Sequence, residues 1–123
     1  MNLVHVESKT SREGKKISIT MAKSGSLFLT KLLVETMSLE IRSRVSFHQD
    51  KDKPRDWYIA RGGELEIHSF KGGSTTVNST DIYRKLIDSL GLPRQKNYCF
   101  RVSPEWVEFN GEHYFPIITS KPL

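Results

Sequence analysis

The amino-acid sequence predicts a mainly β chain with two short helices, an α+β fold. Three observations carry this. Apolar and polar side chains alternate over several short runs, as Ile17, Ile19 and Met21 do with Lys16, Ser18 and Thr20, and period two is the mark of a strand with one buried face. Two stretches switch to helical spacing behind a good N-cap residue. Finally, the order strand, turn, strand, helix, strand occurs twice.

The first set spans Lys16 to Phe47. A strand runs from Lys16 to Met21, Lys23-Ser24-Gly25 forms a turn, and a second strand covers Ser26 to Leu29. Gly25 supplies the positive φ that a tight hairpin demands. Thr30 is the expected N-cap, and Leu32, Leu33, Thr36 and Met37 then share one helical face. The helix is expected to stop at Ser38, and Val45 and Phe47 resume period two. After the charged loop Gln49 to Arg55, Trp57 to Ala60 give a fourth strand, and Arg61-Gly62-Gly63 links to the second set.

Lys16 to Ser26, moved 48 positions forward, lies over Glu64 to Ser74 with four identities in eleven pairs, where chance gives about one. Ile19 meets Ile67, Lys23 meets Lys71, Gly25 meets Gly73 and Ser26 meets Ser74. Beyond the helices the offset becomes 53, pairing Leu39 with Leu92 and Phe47 with Phe100. The second helix is expected to begin at Asn78 or Ser79, to bury Ile82, Leu86, Ile87 and Leu90, and to end at Gly91 before Pro93. Tyr98, Phe100 and Val102 form the next strand, Ser103-Pro104-Glu105 interrupts it, and Asn110-Gly111 is a type I′ hairpin signal.

Gly25, Leu27 and Leu29, then Leu32 and Leu33, Met37-Ser38-Leu39, and Val45 with Phe47 together resemble the AbrB/MazE (SpoVT-AbrB) swapped-hairpin family. That family commonly has proline at the position of Thr30, Leu-Gly-Ile at Met37-Ser38-Leu39, and Gly-Asp at Arg42-Ser43. The resemblance covers about 45 residues closely. It implies a swapped-hairpin or double-psi-like β-barrel formed by two β-β-α-β-β repeats, here in one chain. The expected organisation is a basic N-terminal arm at 1–15, one half at 16–61 and a divergent half at 64–119, in a single intertwined domain.

Composition bounds the function. No apolar run approaches the ~18 residues of a membrane span and no signal-peptide core opens the chain, so a cytoplasmic protein without a membrane partner is expected. Cys99 is the only cysteine, which excludes an internal disulfide. Charge is segregated: Met1 to Arg55 holds 11 Lys/Arg against 6 Asp/Glu, whereas Asp56 to Leu123 holds 8 of each. A basic half on a chain of pI ≈ 9.4 is the footprint of a phosphate-binding surface.

The candidate nucleic-acid contacts are Lys15, Lys16, Lys23, Lys31, Arg42 and Arg44. If Val45 and Phe47 face the core, Arg44, Ser46 and His48 face outward, and exposed guanidinium groups suit bidentate phosphate or guanine contacts. Trp57 and Tyr58, flanked by Arg55 and Arg61, are candidates for base stacking.

Other chemistries lack their signatures. Histidines 5, 48, 68 and 113 miss metal-ligand spacing, Asp50, Asp52 and Asp56 lack the glycine and glutamate of a calcium loop, and Lys71-Gly72-Gly73 lacks the phosphate-loop order. Glu105, Glu108 and Glu112 alternate with aromatics as a solvated hairpin face. Neither an enzyme nor a cofactor is expected. The reading is a DNA-binding protein of AbrB-like regulator or antitoxin type that contacts the backbone through its first half, with a partner protein as a further candidate and monomer or homodimer left open. The alternatives are a protein-interaction or structural module, and single-strand binding through Trp57 and Tyr58.

Overall fold

The computed structural model describes residues 16–40, 42–69 and 75–120. The arm at 1–15, with Lys15, and the second turn at 70–74 lie outside the described residues. Among the described residues, ten strands and two helices follow in the order β1 (Ser18–Met21), β2 (Ser26–Leu29), α1 (Lys31–Thr36), β3 (Arg44–Gln49), β4 (Trp57–Arg61), β5 (Leu65–Glu66), β6 (His68–Ser69), β7 (Thr75–Asn78), α2 (Thr80–Ser89), β8 (Tyr98–Val102), β9 (Val107–Phe109) and β10 (Glu112–Ile118). No helix among the described residues is long and apolar enough to cross a membrane.

All ladders are antiparallel, and the strands run β5-β3-β4-β10-β8-β1-β2-β7-β6, with β9 beside β10. Only Ile67 separates β5 from β6. The run Leu65–Ser69 therefore stands at both ends of this path, pairing with β3 through Leu65 and Glu66 and with β7 through His68 and Ser69. The sheet curls back on itself into a nearly closed barrel.

Alternation decides which side chains fill it. Ile19 and Met21 of β1, Leu27 and Leu29 of β2, Val45, Ile59, Val77, Phe100, Val102, Phe115 and Ile117 all point inward and are buried. Leu33 and Met37 add to this core from α1, and Tyr83, Leu86, Ile87 and Leu90 from α2. Full burial of each large aliphatic side chain contributes roughly 1.5–3 kcal/mol.

Helix starts obey the capping expectation. Thr30 Oγ1 accepts from Leu33 N–H at 3.3 Å and from Ser18 N–H at 3.1 Å, while Thr30 N–H donates to Ser18 O at 3.1 Å. One residue thus caps α1 and ties it to β1, and a proline here would lose both the hydroxyl and the N–H. Ser79 caps α2, accepting from Ile82 N–H. Gly91, at φ +69°, ends that helix. Asn110 and Gly111 take φ 52° and 79°, the type I′ pattern.

The longer second half differs from the expected offset. Ser18 stands opposite Arg101, and Glu66, which overlies Ser18 at 48 positions, stands opposite Arg44. If the two stretches are repeats, this register would pair Arg44 with Arg101 and Val45 with Val102, and not Phe47 with Phe100. The Leu90–Asn97 segment joins α2 to β8. Tyr83 explains how that loop is held: its hydroxyl sits 2.8 Å from Arg94 O and 2.5 Å from Lys96 O. The side chain is absent from the expected core face because it carries a polar end, yet its ring is buried.

Two backbone sites give opposite predictions. At Gly25, φ is +95° and an added Cβ would lie 2.5 Å from Thr80 Oγ1, so Gly25→Ala should cost about 1–3 kcal/mol. At Ser38, φ is 54° in a residue with a side chain, so Ser38→Gly should raise stability by about 1 kcal/mol. Urea unfolding checks both. Burial is the main force holding the Tyr83 phenol above its ordinary value of 10.0. The fold favours the neutral form, so this contribution is intact below pH 10 and is lost as pH rises through the higher folded value. Denaturation across pH 9–12 should show a stability loss that Tyr83→Phe makes smaller.

Candidate nucleic-acid interface

The tight turn before β3 sets the position of the two leading arginines. Ser43 N–H donates to Glu40 O and Ser43 Oγ accepts from Glu40 N–H at 2.7 Å. Between them Arg42 takes φ 70°, a conformation that glycine adopts without strain. Both Arg42 and Arg44 are exposed. Arg44 opens β3, its carbonyl accepts from Gly62 N–H at 2.7 Å, and Glu66 is its cross-strand neighbour.

Arg44 also lines an open groove of about 690 Å³ at one end of the barrel, together with the last residues of α1, Arg61, Trp106, Glu112, His113 and Phe115. Trp106 is 47% exposed. Its indole lies 3.7 Å from the His113 ring at an interplanar angle of 10°, a stacked pair. Phe115 closes the floor at 5% exposure.

The other basic candidates lie elsewhere. Lys23 is exposed in the β1–β2 turn, where its backbone N–H donates to Asn97 Oδ1 at 2.9 Å. Lys31 is exposed as the first residue of α1, and Lys16 is half-buried ahead of β1. None of the three lines the groove. Among the described residues the ion pair is Arg94–Asp88; the guanidinium holds the Asp88 carboxyl below its ordinary range and Asp88 raises Arg94 in return.

The aromatic assignment needs correction. Trp57 is 4% exposed and its Nε1–H donates to Ser89 Oγ at 2.8 Å, which in turn donates to Leu86 O. Its place at the start of β4 turns the ring inward, where it ties β4 to α2, so it offers no face for a base. Tyr58 points to the outer side and is half-buried. Burial, reinforced by Asp56 and Asp50, raises its phenol above the usual value, leaving it neutral. Asp50 itself serves the loop, accepting from Asp52 N–H at 2.8 Å.

Sequence reading missed Trp106 as a site residue because it lies within the acidic aromatic hairpin. The signal was present in the Ser103-Pro104 break, which removes Trp106 from the β8–β10 ladder and from period two. Exposed rings continue along that hairpin: Phe109 is 64% exposed and its ring centroid is 6.4 Å from that of Tyr114, which meets His48 edge-on at 4.9 Å. Cys99 is half-exposed on β8 opposite Thr20. No protein-family model, curated protein or solved structure matches the chain.

The two tryptophans should separate in solution. In Trp106→Phe, the remaining emission from Trp57 should be blue-shifted and weakly quenched by acrylamide. In Trp57→Phe, Trp106 emission should be red-shifted and readily quenched. Equal quenching of the two would contradict these placements.

Proposed function

We propose that the protein binds DNA through the basic surface around Arg42 and Arg44, as a regulator or antitoxin of the AbrB-like kind. The observation that carries this reading is that Arg42 and Arg44 are both exposed, one in the tight turn and the other at the start of β3. Guanidinium groups so placed offer forked donors to successive phosphates, and each phosphate neutralised releases counterions.

Two backbone features favour the family resemblance. Ser38 and Arg42 stand where the family has glycine, and both take left-handed φ here. The pairings also favour two repeats: β1 with β2 and β8 corresponds to the Leu65–Ser69 run with β7 and β3, and β3 with β4 corresponds to β8 with β10. A two-fold relating the halves would pass between Phe28 and Thr76 and between Ile59 and Phe115, which are ladder partners.

Fluorescence anisotropy with labelled duplex tests the reading. Affinity should fall roughly tenfold or more between about 50 and 200 mM salt, and each of Arg42→Ala and Arg44→Ala should lower the log–log salt slope by about 1. Binding is expected on one side of the barrel, so Arg84→Ala, Lys85→Ala and Arg101→Ala should leave it near wild type. Absence of binding at the lowest salt would instead favour a protein-interaction module.

A further inference from the structure

The groove at the barrel end has a composition that a duplex backbone alone does not require. Arg44 and Arg61 supply positive charge at its rim, yet Glu112 lines the same space. A carboxylate accepts hydrogen bonds only, so beside phosphate it is unfavourable, whereas it can take the exocyclic amine of a nucleobase. Trp106 contributes a flat apolar surface. One indole face is covered by His113 at 3.7 Å, and with the residue 47% exposed the ring is held in place while still open to solvent.

An exposed, pre-stacked indole is costly to leave in water and well suited to an added π-layer. The groove's volume of about 690 Å³ falls within the ~300–1,000 Å³ of sites that hold small organic ligands. Inside a duplex each base face is stacked on its neighbours and closed to Trp106, so the stacking contact needs a base out of the stack. Chemistry of this kind fits one nucleotide out of the stack.

We infer that the groove binds one unpaired nucleotide of a DNA strand, its base stacked on Trp106, its amine edge on Glu112 and its phosphate near Arg44 and Arg61. The inference rests on the nucleic-acid reading above and adds a strand and base preference to it. Trp106, Glu112 and Arg61 were outside the contacts expected from sequence, and they come together because the β9–β10 hairpin folds back toward the end of β4.

The test compares labelled oligo(dA), oligo(dC) and oligo(dT) with a duplex of equal length, using the full chain at low salt. Oligo(dA) and oligo(dC) should bind more tightly than oligo(dT), which has no exocyclic amine, and more tightly than duplex. Trp106→Ala should weaken single-strand binding about tenfold or more, Trp106→Phe should restore most of it, and Glu112→Gln should reduce the difference between oligo(dC) and oligo(dT). Thermal melts of each variant check that the barrel persists. The inference is overturned if Trp106→Ala leaves single-strand affinity unchanged, or if oligo(dT) binds as well as oligo(dC), while Arg42→Ala and Arg44→Ala still weaken binding. Failure of every DNA form to bind would overturn the underlying reading as well.

Discussion

The structure depends on one five-residue strand serving two neighbours. Leu65 and Glu66 pair with β3, His68 and Ser69 pair with β7, and Ile67 between them is 2% exposed and donates its N–H to Ser43 O at 2.9 Å. Without this run, β3 and β7 would each present an open edge with unsatisfied backbone groups. Its register is fixed by Ile67, because a slip of one residue would turn that side chain out and Glu66 or His68 in. The hydrophobic interior is complete only when this strand is seated.

The two halves are therefore interdependent rather than adjacent. Ladders β2–β7 and β4–β10 cross between them, Ser79 N–H reaches Gly25 O at 2.8 Å, and Trp57 reaches Ser89. Neither half as bounded by sequence buries its own apolar face. With the interior committed to packing, polar and charged side chains are left to the barrel's outer face and open end. Rigid strands and a tight Glu40–Ser43 turn fix the backbone that carries Arg42 and Arg44 there.

Much of the fold was legible because it rests on local rules. Period two identified β1, β2, β3 and β8, Thr30 and the pair Asn78-Ser79 marked the helix starts, and Asn110-Gly111 marked the last hairpin. What escaped is decided between distant segments. Ladder register sets Arg101 opposite Ser18 and Arg44 opposite Glu66, an arrangement that the offset of 53 joining Phe47 to Phe100 does not reproduce. Trp57 and Trp106 are alike in sequence as aromatics among charges. Their fates diverge because one begins an inward-facing strand beside α2 and the other sits in a break ahead of β9. Likewise, positive φ at Ser38 and Arg42 has no signature in residues that ordinarily avoid it. At the candidate site, Arg44 could be read from strand alternation, but the company of Arg61, Glu112 and Trp106 could not, since residues from three separated segments meet there.

The position of β10 has a consequence for folding. This strand, Glu112–Ile118, follows β4 and β8 in the chain yet lies between them in the sheet. Until it is seated, β4 and β8 have no partner on that side, and Val102, Ile59 and Trp57 have no Phe115 or Ile117 to pack against. Closure of the barrel waits on this long-range pairing, so the interval before β10 docks is when the protein exposes its most adhesive surface to other copies.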